Sequence, residues 1–66
     1  MAKIHPIIVF LAARRDWIGM TQREVAKRMG TTQSAISDIE TGGNPTIATL
    51  DRYADTLGCS LDVHIR

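Results

Sequence analysis

The stretch Thr21-Gln-Arg-Glu-Val-Ala-Lys-Arg-Met-Gly-Thr-Thr-Gln-Ser-Ala-Ile-Ser-Asp-Ile-Glu-Thr-Gly42 carries two apolar periodicities that meet at one glycine. Val25, Ala26 and Met29 recur at helical spacing before Gly30, and Ile36 and Ile39 do so after it. Thr21 and Glu24 have the spacing of a capping box, in which the hydroxyl accepts from the third helical amide and the carboxylate accepts from the cap amide in return. Met20 before the cap and Val25 inside the helix form a hydrophobic staple that fixes the angle of approach. Thr32 caps the following helix, which Gly42 ends. The spacing predicts two short helices joined by a sharp turn, with the small Ala26 allowing a close crossing.

Outward from this pair, Pro6 suits the first turn of a helix that runs through Leu11 to Trp17 and stops at Gly19. Gly42-Gly43-Asn44-Pro45 is a dense turn signal. Thr46 caps a fourth helix with Leu50, Ala54 and Leu57 inward and Gly58 as its stop. In the tail, Leu61, Val63 and Ile65 alternate with Asp62, His64 and Arg66, the period of a strand. The alternative is a frayed tail with chance alternation. The expected fold is all-α, a compact bundle of four to five helices with a short C-terminal β-strand at about 61–65. Residues 1–66 are expected to form a single domain. A lone strand must find a partner edge, and the same strand of a second copy, antiparallel across a two-fold axis, supplies one.

Composition narrows the function. Cys59 is the only cysteine, which excludes an internal disulfide and suits a reducing, cytoplasmic setting. His5, Cys59 and His64 do not make a four-ligand metal set, and no metal or cofactor is expected. The apolar run from Ile7 to Ala13 is far shorter than the roughly 20 residues of a membrane span. Arg14 and Arg15 follow it where a signal peptide needs small residues. The net charge of +1 is unevenly spread. Residues 1–28 hold Lys3, Arg14, Arg15, Arg23, Lys27 and Arg28 against Asp16 and Glu24, giving +4, and residues 29–66 come to −3. A basic surface on the first two helices fits contact with phosphates. Ser60, Asp62 and His64 superficially suggest a hydrolase triad, but they are alternate residues of one strand without an oxyanion hole, so no enzyme is expected.

Two short helices crossing at a tight turn are the helix-turn-helix arrangement, spanning about 21–42, in which the second helix enters the DNA major groove. Thr21-Gln22, Ala26, Gly30, Thr32-Gln33, Ile36, Ile39-Glu40 with Gly42, and Leu57-Gly58 occur here in an order that resembles the Xre or lambda-repressor-like family of phage Cro proteins, phage repressors and antitoxins. The resemblance runs from about Leu11 to Ser60. It implies that the outer face of the third helix, with Thr32 at its start and then Gln33, Ser34, Ser37, Asp38 and Thr41, meets base edges or phosphates. Gln33 is the best base reader, because its amide donates and accepts at once, as adenine requires. By the same resemblance Gln22 touches a phosphate and braces Gln33, while Arg15 and Glu40 form a structural ion pair. Arg23 and Lys27 are phosphate contacts on the charge map, and the helix N-terminal amides beside them favour an anion.

One departure weakens the charge complement. Between Met29 and Asp51 there is no Lys or Arg, so the loop after the third helix offers Thr41, Gly43 and Asn44 in place of cations. Backbone amides of the glycines and the Asn44 side chain are the expected phosphate donors there. The first helix is also more apolar than a bundle needs. Ile4 and Ile8, with Leu61, Val63 and Ile65, are the expected dimer interface. The expected function is a homodimeric transcriptional regulator, a repressor that reads an inverted repeat in double-stranded DNA. Two alternatives are an antitoxin using the same fold to hold DNA and a toxin, and a protein-interaction module that has lost DNA binding.

Overall fold

The computed structural model describes residues 6–59. It contains helices α1 (Pro6–Trp17), α2 (Gln22–Met29), α3 (Gln33–Thr41) and α4 (Ile47–Thr56). Each boundary has a local cause. Thr21, Thr32 and Thr46 are extended N-caps whose hydroxyls accept from the amides of Glu24, Ala35 and Thr49. At α2 the Glu24 carboxylate returns the bond to the Thr21 amide, which completes the capping box. Gly30 closes α2 in the left-handed region at φ 72°. Its amide donates to the Lys27 carbonyl and the Thr31 amide donates to that of Ala26, a pairing that requires this backbone geometry. Leaving α2 this way turns the chain directly into the cap of α3.

The core is built from all four helices. Ile8 and Leu11 of α1, Val25, Ala26 and Met29 of α2, Ile36 of α3, and Leu50, Tyr53 and Ala54 of α4 are buried, with Leu57 beyond α4. Ile7, Met20, Ile39 and Cys59 pack against this cluster. Burial of each large side chain contributes about 1.5–3 kcal/mol before conformational entropy is set against it. α2 packs on α3 and α4, and α1 packs on α3 and α4. The α2–α3 pair thus stands on a base formed by the other two helices.

The expected four- to five-helix fold with a C-terminal β-strand is corrected. The described residues form four helices and no strand. The period-two stretch at 61–65, where the strand was expected, lies outside the described residues. Among the described residues no helix is long and apolar enough to cross a membrane, and no cluster of three or more acidic, His or Cys side chains could hold a metal.

Candidate nucleic-acid interface

α3 turns Ile36 fully inward and half-buries Ile39 and Glu40, so its opposite side is left to solvent. Gln33, Ser34, Asp38 and Thr41 are exposed there and Ser37 is half-buried. The side chains of Gln33, Ser34 and Asp38 make no hydrogen bond within the described residues, so their donors and acceptors are open to a ligand. Thr41 differs: its hydroxyl donates to the Ser37 carbonyl at 2.7 Å and has no proton left for a phosphate. Thr32 is an exposed cap whose oxygen accepts from Ala35 at 3.1 Å, while its hydroxyl proton remains free to donate.

On α2, Arg23 and Lys27 stand one turn apart and both are exposed. The amides of Gln22 and Arg23 belong to the first turn and donate to no acceptor among the described residues, so the positive end of α2 stays open to an anion. The Glu24 carboxyl sits below the usual range because the Thr21 amide and hydroxyl donate to it.

The turn after α3 does not offer what the sequence suggested. The amides of Gly42 and Gly43 both donate to the Asp38 carbonyl, Gly43 at 2.7 Å. Neither is available to a phosphate. Gly43 is held so close that a Cβ there would stand 2.7 Å from the Asp38 oxygen, so the residue is required by space and not by ligand contact. Asn44 is exposed and keeps its amide free.

A partly buried polar centre fixes α3 in place. The Arg15 guanidinium meets the Glu40 carboxylate in two parallel bonds, 2.9 Å from Nε and 3.0 Å from Nη2, and its Nη1 donates to the Met20 carbonyl at 2.8 Å. Gln22 Nε2 donates to Glu40 Oε1 at 3.1 Å, so its amide serves this carboxylate, with no bond to Gln33. The hydroxyl of fully buried Tyr53 donates to Glu40 Oε2. One carboxylate therefore joins α1, α2, α3 and α4. Burial pushes the Glu40 carboxyl up, but the bonds from Arg15, Tyr53 and Gln22 outweigh it and hold the group below its ordinary value. Burial, and then the neighbouring Glu40, push the Tyr53 hydroxyl well above its ordinary value. Arg52 adds a further fastening, donating to the Met29 carbonyl at the end of α2.

Of the residues expected at a dimer interface, Ile8 is fully buried within its own chain and cannot meet a partner. Ile4, Leu61, Val63 and Ile65 lie outside the described residues. Sequence reasoning missed Tyr53, since a tyrosine at a core position of α4 carries no mark that its hydroxyl reaches α3.

The α2–α3 pair thus presents open polar groups on its second helix. The helix-turn-helix family model matches residues 11–64, which spans most of the chain and all of α2 and α3.

Proposed function

The chain belongs to the helix-turn-helix family of DNA-binding regulators, and from that premise we propose that it is a homodimeric transcriptional repressor reading an inverted repeat with α3. The observation that carries the reading is the exposed, unpartnered set Gln33, Ser34 and Asp38 on a helix locked from behind by Glu40. In the major groove, Gln33 pairs with an adenine edge, and Ser34 and Ser37 accept or donate according to the base or phosphate they meet. The open amides at the start of α2, with Arg23 and Lys27, hold a phosphate and set the register. Cationic contacts are few, as no Lys or Arg occurs between Met29 and Asp51. Two copies on half-sites about 34 Å apart double them, which is how so small a reading surface reaches specific affinity.

Competition binding on single-base variants of a selected site tests this. Gln33→Ala should cost about 1–3 kcal/mol against the best site and flatten the preference at one position. Arg23→Ala should weaken all sequences alike and reduce the salt slope by about 0.9. If Gln33→Ala loses as much on random DNA as on the selected site, α3 does not read bases as proposed.

A further inference from the structure

The outer side of α1 is apolar from end to end. Val9, Phe10 and Trp17 are 53%, 67% and 78% exposed, and Pro6 and Ala13 are exposed with them. Positions 6, 9, 10, 13 and 17 fall on one stripe of a helix, opposite Ile8, Leu11 and Arg15. Single exposed apolar residues are ordinary, but a continuous stripe is not. With about 150–250 Å² on each aromatic side chain, Phe10 and Trp17 alone leave roughly 300 Å² bare. Val9, Ala13 and Pro6 bring the face to roughly 400–500 Å², the size of the largest apolar patch on a typical monomer, which is often functional.

The pattern along the stripe is its own complement. Ala13 is the small residue at its centre, and Val9 and Trp17 stand one turn to either side. Two such helices packed antiparallel with Ala13 against Ala13 place Val9 over the partner's Trp17, and the small centre lets the axes approach to about 8–10 Å. Two faces of this size bury about 800–1,000 Å², less than the roughly 1,200 Å² of the smallest stable interfaces, which suits a weak dimer that DNA completes. The inner face of α1 packs on α3 and α4, so its outer face points away from both and a partner there leaves Gln33, Ser34 and Asp38 open. Arg14 lies 5.2 Å from the Trp17 ring centre and shields one margin of the stripe.

We propose that this stripe is the surface through which two copies of the chain associate, with the two-fold axis passing near Ala13. The proposal rests on the homodimeric reading above and adds where the dimer forms. Trp17 is the only tryptophan, so its emission reports on this face alone. Sedimentation and tryptophan emission of the full chain, followed over concentration with and without a two-half-site DNA, provide the test. Emission should move to the blue in step with the dimer fraction. Ala13→Glu, at an exposed helical position, should raise the dimer dissociation constant at least tenfold while leaving the melting temperature of the dilute monomer unchanged. Phe10→Gln should act in the same direction, so the test survives if one variant folds poorly. A dimer whose Trp17 emission stays that of an exposed indole would overturn the placement and leave the homodimer standing, with the stripe free for another protein such as a toxin. Emission already blue in dilute monomer would overturn it too, by showing that the chain covers its own stripe. Single copies bound independently to each half-site would overturn both readings.

Discussion

Asp38 and Glu40 are both acidic residues of α3 and have opposite fates. Glu40 is 7% exposed and accepts from Arg15, Gln22 and Tyr53, whereas Asp38 faces solvent on the side proposed to meet DNA. A carboxylate near phosphates either accepts from a cytosine amino group or repels the backbone. Repulsion needs no close alignment, so Asp38→Asn is expected to tighten binding to every sequence and leave the ranking of sites intact. Competition binding at one salt concentration measures both, and a changed preferred base would establish direct reading. At Glu40 the expected effect is on stability. Tyr53→Phe should cost about 1.5–3 kcal/mol by removing a hydrogen bond to a charged group. Glu40→Ala should cost about 3 kcal/mol by leaving Arg15 without its counter-ion in a partly buried site. Thermal melts of the two variants check these values.

At the scale of the helices, the cap chemistry was open to reading because it is local. Thr21 with Glu24, the turn at Gly30 and the caps at Thr32 and Thr46 depend on residues within one turn of each other, and spacing alone reveals them. The polar centre was legible only in part: family resemblance implied the Arg15–Glu40 pair, but Tyr53 and the side-chain bond of Gln22 depend on how distant helices pack. The glycine amides after α3 misled for a related reason. Sequence shows that they exist, but only the folded turn shows that Asp38 has already taken them. Gly43→Ala makes that turn testable, since its Cβ would lie 3.1 Å from the Asp38 carbonyl carbon and 2.7 Å from the oxygen. The variant should lose about 1–3 kcal/mol through overpacking. At about 4–8 °C per kcal/mol for a chain of this size, calorimetry will resolve the shift. An unchanged melting temperature would mean that the turn relaxes without cost.

For the molecule as a whole, the same centre makes stability depend on pH at both the acid and the alkaline end. The folded carboxyl of Glu40 is held below its ordinary 4.5, so its stabilisation is present above that value and is lost as pH falls through the folded one. The Tyr53 hydroxyl is held above its ordinary 10, so its contribution is intact below pH 10 and drains away as pH rises beyond it. Stability measured by denaturant titration should fall at pH below the first value and above the second, and Tyr53→Phe should remove much of the alkaline fall. The centre also bears on kinetics. Arg15 and Glu40 are 25 residues apart, and the carboxylate gains all its donors only when the four helices are docked together. A centre that gains its donors only when four helices are docked is expected to close after the transition state, so its loss should fall mainly on the rate of unfolding and leave the rate of folding nearly unchanged. Stopped-flow traces of Tyr53→Phe should show a steeply faster escape from the native state, which makes Glu40 a latch that governs how long α3 stays in position once folded.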